Sequence, residues 1–215
     1  LQREEFAHDP AQERAVLLLQ DLYDRLIVAQ RKEVNGFAKL RRWFKGGHPE
    51  PLKGLYLWGG VGRGKTYLVD TFFHCIPYEK KKRVHFHRFM QRVQAELVAL
   101  DGQKNPLLIV ADRFAQEAKI ICFDEFFVTD IADAMILGGL MEALFERGVT
   151  LVATSNIEPA RLYENGLQRQ RFLPAIALIE RFTQVVNVDA GVDYRLRTLE
   201  QAELYHFPLD KEANR

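Results

Sequence analysis

This sequence has almost no net charge and few cysteines. Its 30 lysines and arginines against 29 aspartates and glutamates leave a formal charge of +1, so the overall charge gives no support to a nucleic-acid partner. The chain has two cysteines, Cys75 and Cys122, and no Cys-x-x-Cys or Cys/His spacing. Because apolar residues surround both, we expect buried free thiols in a reducing cytoplasm.

Long apolar runs, internal repeats and low-complexity tracts are also absent from the sequence. No run is long enough to span a bilayer, and the N-terminus lacks the pattern of a signal peptide. Since the first residue is Leu1, we expect the sequence to be a piece of a longer chain. The content of 47% hydrophobic and 27% charged residues is typical of a soluble core, and 215 residues suggest one domain with or without an appendage.

From residue 54 onward, short apolar strands alternate with helices. Strands separated by helices of this length predict a five-stranded parallel sheet covered by helices on both faces. An N-terminal helix precedes the sheet, with Asp9 as its cap, Gln12 completing a capping box and an apolar stripe from Val16 to Ile27. The predicted strands are Leu55–Trp58, Val84–His87, Ile120–Phe123, Thr150–Thr154 and Val185–Val188, and the later helices include Leu107–Gln116, Ile131–Arg147 and Leu173–Phe182.

The segment Gly59-Gly-Val-Gly-Arg-Gly-Lys-Thr66 fits the complete pattern G-x-x-x-x-G-K-[ST] between a predicted strand and a predicted helix. Its glycines let backbone N–H groups turn toward phosphate oxygens, and the positive end of the helix dipole favours the same anions. Lys65 can reach the β- and γ-phosphates, and the Thr66 hydroxyl can bind Mg²⁺. We therefore predict a nucleoside triphosphate and Mg²⁺ as cofactors, with the role of the Arg63 side chain left open. The predicted contacts are Gly59, Gly60, Val61, Gly62, Arg63, Gly64, Lys65, Thr66 and Tyr67, together with Asp124.

Two adjacent acids end the apolar strand Ile120-Ile-Cys-Phe-Asp-Glu125. Buried strands rarely carry acids unless a cation meets them. Asp124 is placed to hold Mg²⁺, with Thr66 as the other metal-binding residue, and Glu125 is suited to polarise an attacking water. Binding needs only the first acid, so the pair favours hydrolysis over binding alone; a strand end that merely faces solvent is the minor alternative.

Three further polar residues follow the acids in chain order. Asn156 ends the next predicted strand and could orient the attacking water. Arg169 and Arg171 precede the last predicted helix, and in oligomeric ATPases an arginine from a neighbouring subunit often completes the site. We favour Arg171 for this role, with Arg169 close behind; a simple surface pair of arginines is the alternative.

Several other segments have both a structural and a functional interpretation. His85 and His87 would share one face of a strand, but zinc would need a further ligand. Phe89 and Met90 fit a substrate-gripping loop or the core. The basic run Lys80–Arg83 is a solvated loop or a patch for an acidic partner. The segment Lys39–Lys45 could touch a membrane surface as a peripheral contact, although we favour a linker whose aromatic residues pack on the domain.

Taken in order, the motifs GGVGRGKT, CFDEFFVTDIADAMILGGL, TLVATSN, NGLQRQRFLPAI and VNVDAGVDYRLRTL resemble the ZapE family of AAA+ cell-division ATPases, which has mitochondrial relatives. The resemblance covers roughly residues 9–210. It implies a P-loop NTPase of the AAA+ (ASCE) type, working as a homo-oligomer when ATP is bound. It also implies Lys65 and Thr66 as nucleotide-loop residues, Asn156 as a sensor, Arg171 or Arg169 as the finger, and Arg195 or Arg197 as a second sensor.

The same resemblance implies a partner, the division-ring tubulin homologue FtsZ, whose polymers such proteins destabilise when ATP is present. We expect a cytoplasmic protein that acts at the division site near the inner membrane. The expected organisation is an N-terminal helix and basic linker over 1–53, a nucleotide-binding core over 54–190 and a C-terminal extension over 191–215. Only 27 residues follow Val188, so we expect the helical lid usual in AAA+ proteins to be missing, reduced or removed with the C-terminus.

Other functions share these motifs. A nucleotide-gated binding module with little hydrolysis is one alternative, although the intact pair Asp124 and Glu125 argues against it. A nucleic-acid-directed AAA+ ATPase is a second, which the near-neutral charge does not support. A GTPase would be expected to carry an Asn-Lys-x-Asp motif, and none is found.

Overall fold

Five parallel strands form one sheet in the order β2-β3-β4-β1-β5. The computed structural model describes residues 10–34, 50–77 and 79–189. The strands are β1 (Gly54–Trp58), β2 (Lys81–His85), β3 (Ile120–Asp124), β4 (Thr150–Ser155) and β5 (Thr183–Asn187), and the helices are α1 (Pro10–Val34), α2 (Lys65–Cys75), α3 (Phe86–Ala99), α4 (Pro106–Glu117), α5 (Ile131–Glu146) and α6 (Leu173–Phe182), with short 3₁₀ helices at Pro159–Arg161 and Arg169–Arg171.

The strand order creates a crevice for a ligand. The chain leaves β1, crosses to β2 at the edge, and returns through β3 and β4 to pair again with β1. In open parallel sheets, ligands bind outside the carboxyl ends of the strands, at the point where the strand order reverses. Here that point lies between the neighbouring strands β1 and β4, so the loops that follow β1, β3 and β4 meet at one edge of the sheet.

Alternate residues of each strand pack on opposite faces of the sheet, as the two-residue period of a strand requires. Leu57 and Cys122 belong to the cluster that includes buried residues of α1 and α2. Tyr56 and Phe123 belong to the larger cluster under α3, α4, α5 and α6. The prediction of an α/β fold with helices on both faces is therefore confirmed.

The structure corrects the predicted second strand. Strand β2 spans Lys81–His85 rather than Val84–His87, and His87 lies in α3, so the two histidines do not share a strand face. The basic run is therefore not a solvated loop: most of it lies in an edge strand. There Lys81 Nζ donates to the carbonyl oxygens of Phe73 at 2.8 Å and Ile76 at 2.6 Å. These carbonyls end α2, where a cation also meets the negative end of the helix dipole.

The buried face of the N-terminal helix agrees only in part with the predicted stripe. Helix α1 buries Leu19 and Leu26 of that stripe together with Leu22, whereas Val16 is 48% exposed. The Gln12 side chain donates to the carbonyl oxygen of Arg63 at 3.1 Å, so it reaches the glycine loop 51 residues away. The proposed cap Asp9 lies outside the described residues.

Four other sequence predictions differ in how they compare with the structure. Phe89 and Met90 are both 1% exposed, so they belong to the core and not to a gripping loop. Cys122 is buried as predicted, but Cys75 is exposed at the end of α2 and corrects that expectation. The segment Lys39–Lys45 and the candidate second sensors, Arg195 and Arg197, lie outside the described residues.

Candidate active site

The glycine loop connects the end of β1 to the start of α2 at the crevice. Gly59 donates its N–H to the carbonyl oxygen of Ser155 at 3.3 Å, which ties the loop to the end of β4. Gly64 precedes α2 with φ 74°, a left-handed conformation that glycine adopts without steric cost. The first N–H groups of the 11-residue helix α2 have no partner within the helix and point toward the loop. The local arrangement therefore has the geometry of an anion site.

Lys65 lies inside this loop and not on its surface. The residue is 7% exposed, and its Nζ donates to the carbonyl oxygens of Gly59 and Gly60, each at 2.7 Å. It also donates to Asn156 Oδ1 at 3.2 Å, so the loop that follows β4 contacts the glycine loop directly. Burial, the largest effect, lowers the pKa of Lys65; Asp189 raises it and Arg63 lowers it. The structure thus brings together four residues that the sequence predicts to share one site: Gly59, Gly60, Lys65 and Asn156.

Several other residues at this site are accessible to solvent, although the Arg63 side chain is only 12% exposed. Val61 is 54% exposed and Tyr67 is 74% exposed, and Thr66 is exposed at the start of α2. A nucleotide could therefore reach the loop from solvent, with Tyr67 at its margin.

Asp124, the last residue of β3, is paired with an arginine. The carboxylate accepts from Arg83 Nε at 2.8 Å and from Arg83 Nη2 at 3.2 Å, a bidentate pair. The two side chains are only 10% and 18% exposed, respectively. Arg83 Nη1 also donates to Asp70 on α2. Bidentate arginine pairs fix the plane of a carboxylate as well as neutralising it, so Arg83 sets the orientation of Asp124.

Glu125 takes an unusual backbone conformation directly after β3. Its φ is 54°, a left-handed value that costs a non-glycine residue roughly 1 kcal/mol or more. The Glu125 N–H donates to Thr154 Oγ1 at 3.2 Å, and the next N–H, that of Phe126, donates to the Thr154 carbonyl oxygen at 2.7 Å. Thr154 on β4 therefore holds the turn in which the Glu125 side chain is exposed to solvent.

The two candidate arginines differ in their surroundings. Arg169 Nη2 donates to the carbonyl oxygen of Ala160 at 2.6 Å, and its Nε is buried. Arg171 is exposed, and its Nη1 donates to Gln168 Oε1 at 3.2 Å. Arg169 is thus engaged in the packing of its own segment, whereas the Arg171 guanidinium is accessible to another molecule.

The family model described as AFG1-like ATPase matches residues 1–215.

The chain belongs to the AFG1-like ATPase family.

Within this family, it is 56% identical over 211 residues to the cell division protein ZapE of Escherichia coli K12, a match that covers 95% of this chain and 56% of that protein. It is 42% identical over 177 residues to lactation elevated protein 1 homolog B of Danio rerio, over 77% of this chain and 35% of the relative. The resemblance stated from the motifs is therefore confirmed. The chain spans about half the length of the ZapE proteins that it matches.

Solved structures confirm the fold. DnaI matches with a TM-score of 0.57 and 15% identity, over 88% of this chain and 87% of that chain. Domain III of the replication initiation protein DnaA from Thermotoga maritima matches with a TM-score of 0.55 and 16% identity, over 86% and 65%. In the described part of this AFG1-like chain, no helix is both long and apolar enough to cross a membrane.

Sequence reasoning missed three residues of this site in the AFG1-like chain. Arg83 is predicted only as part of a basic run, and Thr154 and Asp189 have no predicted role. The buried acid Asp124 predicts a cationic partner, but no local pattern identifies Arg83, 41 residues away, as that partner.

Proposed function

We propose that this chain is the core of a Mg²⁺-dependent ATPase of the AAA+ type that remodels a protein partner. The observation that carries the proposal is the convergence at one sheet edge of Lys65, which bonds Asn156 at 3.2 Å, with the acidic end of β3. The glycine loop binds the nucleotide, and Asp124 and Glu125 serve its hydrolysis. Asn156, which follows β4, contacts the glycine loop. Each part of an ATP-hydrolysing site thus comes from a separate strand end.

Binding uses the backbone and one charge. The N–H groups at the start of α2 donate to phosphate oxygens, and Lys65 exchanges its two carbonyl partners for the β- and γ-phosphates. The ammonium needs no long movement, because both carbonyls belong to the loop that surrounds the phosphates. A positive charge already in place costs little reorganisation when the anion arrives.

The donor set fits Mg²⁺. This ion prefers oxygen ligands and is usually held by one or two protein oxygens together with substrate phosphates. The Thr66 hydroxyl and the Asp124 carboxylate are such oxygens, and Arg83 leaves each carboxylate oxygen with a further lone pair. Bound there, Mg²⁺ would neutralise charge that develops on the phosphates. Thr66 and Asp124 would hold the ion, and Arg83 would keep the carboxylate plane fixed.

Hydrolysis is assigned to the exposed acid and its neighbours. Glu125 would polarise the attacking water, and Asn156 would help to orient it. The accessible Arg171 would enter the site of an adjacent subunit and stabilise the transferring phosphoryl group. A homo-oligomer is therefore part of the proposal, with Arg171 as the catalytic arginine and Arg169 as the alternative.

The biological role comes from the relatives. The name of ZapE states that it is a cell division protein, and we propose a role in division for this chain, in the cytoplasm at the division site. Its partner would be FtsZ, with ATP turnover destabilising FtsZ polymers. Polymer disassembly by this chain in the presence of ATP, measured by light scattering, tests that part separately.

The ATPase is tested by phosphate release per protomer as a function of protein concentration, at saturating ATP and Mg²⁺. We expect specific activity to rise with concentration and to be abolished in Lys65→Ala and Glu125→Gln. Arg171→Ala should stay low and flat, whereas Arg161→Ala, which removes an exposed arginine paired with Glu164 nearby, should behave as the wild type.

A mixing experiment tests the intersubunit arginine. Glu125→Gln and Arg171→Ala are each expected to be inactive alone. Mixed, they form some sites that combine an intact Glu125 with an intact Arg171 from the neighbour, so activity should return in part. Absence of recovery would argue that Arg171 acts within its own subunit or not at all, and a wild type that is inactive at every concentration would contradict the ATPase proposal.

A further inference from the structure

Arg63 has unmet hydrogen-bonding capacity inside the glycine loop. Its side chain is 12% exposed, and Nη2 pairs with Asp189 Oδ1 at 2.9 Å. Its Nε and Nη1 are buried and have no hydrogen-bond partner among the described residues. A guanidinium has five N–H donors, and a buried donor left unpaired is costly. A ligand that supplies several acceptor oxygens at this point would satisfy it.

The ion pair lies directly over the loop. A methyl group on Gly60 would be 3.6 Å from both Arg63 Nε and Asp189 Oδ2. Both charges also act on the Lys65 ammonium, since Asp189 raises its pKa and Arg63 lowers it while burial lowers it most. The pair is therefore within electrostatic range of the charge that binds phosphate.

The backbone holds Asp189 in this position. The N–H of Val188 donates to the carbonyl oxygen of Trp58 at 2.8 Å, so the chain that leaves β5 follows the chain that leaves β1. A Cβ on Gly59 would lie 3.2 Å from Asp189 N and 3.3 Å from Asp189 Cβ. Since this approach is closer than most side chains allow, Gly59 brings the two backbones together. Asp189 thus presents its carboxylate to the loop from a neighbouring strand end.

We propose that the Asp189 carboxylate competes with a nucleotide phosphate for the Arg63 guanidinium, so that Arg63 is a phosphate-binding residue and Asp189 limits nucleotide affinity. A carboxylate and a phosphate group can each accept two parallel hydrogen bonds from the planar fork of a guanidinium. When a phosphate takes the guanidinium, Nε and Nη1 gain acceptors and Asp189, 38% exposed, turns to water. The inference rests on nucleotide binding under the proposed function, but not on hydrolysis.

The test is equilibrium binding of a fluorescent ATP analogue, followed by anisotropy, with ADP as an unlabelled competitor. Asp189→Asn removes the competing charge and should tighten binding roughly two- to fivefold, as expected for a partly exposed ion pair. Arg63→Gln should weaken it roughly tenfold, because hydrogen bonds to charged groups are lost. Asp21→Asn is the matched control: it removes one exposed, arginine-paired carboxylate from α1 and should leave binding unchanged.

The double variant distinguishes competition from simple repulsion. If Asp189 acts by holding Arg63, adding Asp189→Asn to Arg63→Gln should bring no further tightening. Equal tightening in both backgrounds would overturn the exchange, because the carboxylate would then repel phosphate directly. Unchanged affinity in Asp189→Asn would also overturn it. The proposed function would then stand, because the wild type would still bind the nucleotide. A wild type that binds no analogue would overturn both.

Discussion

Replacing Arg83 with methionine tests how much the orientation of Asp124 depends on one cation. The exchange keeps the aliphatic stem of the arginine and removes its guanidinium with all five N–H donors. Asp124, whose side chain is 10% exposed, would then keep its charge without the bidentate partner that now lies at 2.8 and 3.2 Å. Removing one member of a fully buried pair costs about 3–5 kcal/mol.

This pair is not fully enclosed, since Arg83 is 18% exposed. We therefore expect Arg83→Met to lower the free energy of unfolding by about 2 kcal/mol, below the range for fully buried pairs. For a chain of this length, that corresponds to a fall in Tm of about 4–8 °C. Urea and thermal unfolding followed by circular dichroism measure both quantities. Asp70→Asn is the control: its carboxylate is 46% exposed and bonded to the same arginine, so its loss should cost less than about 1 kcal/mol.

The double variant Arg83→Met with Asp124→Asn tests the cause of this loss. If the penalty in Arg83→Met comes from an uncompensated carboxylate, then adding Asp124→Asn removes the cause and should restore part of the lost stability. A double variant that is as unstable as Arg83→Met, or less stable, would refute this reasoning. The loss would then come from packing of the arginine stem.

Two further predictions concern single residues. Thr154→Val removes the hydroxyl that accepts the Glu125 N–H at 3.2 Å; we expect a stability loss of about 1–2 kcal/mol and a roughly tenfold fall in kcat with unchanged nucleotide affinity. A parallel fall in affinity would show general damage to the site. Hydrogen bonds from Arg92, and then from Lys82, lower the pKa of Glu117 from 4.5 to about 2 against the opposing effect of burial. Because the folded pKa is depressed, this stabilisation is present above pH 4.5 and is lost as the pH falls toward 2. Glu117→Gln should therefore be less stable than wild type at neutral pH, and urea midpoints should show the difference shrinking as the pH falls; a constant difference would contradict this.

Local signals were sufficient for much of the fold. Both ends of the helix Leu173–Phe182 agree with the prediction. Its spacing of apolar residues and its boundary residues are local features of the sequence. The glycine loop was identified for the same reason, as its chemistry lies in eight consecutive residues. Strand β2 was misplaced because Lys81 and Arg83 resemble a solvated loop. Only their distant partners make them strand residues.

The sequence by itself determined which residue types could bind a nucleotide and that parallel strand ends would meet at one edge. The tertiary structure decided which of them are partners. Lys65 bonds Asn156 across 91 residues, and Arg83 holds Asp124 across 41. Such pairs follow from the order β2-β3-β4-β1-β5, which places β2 beside β3 and β4 beside β1. No local pattern encodes that order, because it results from how all the helices cover both faces of the sheet at once.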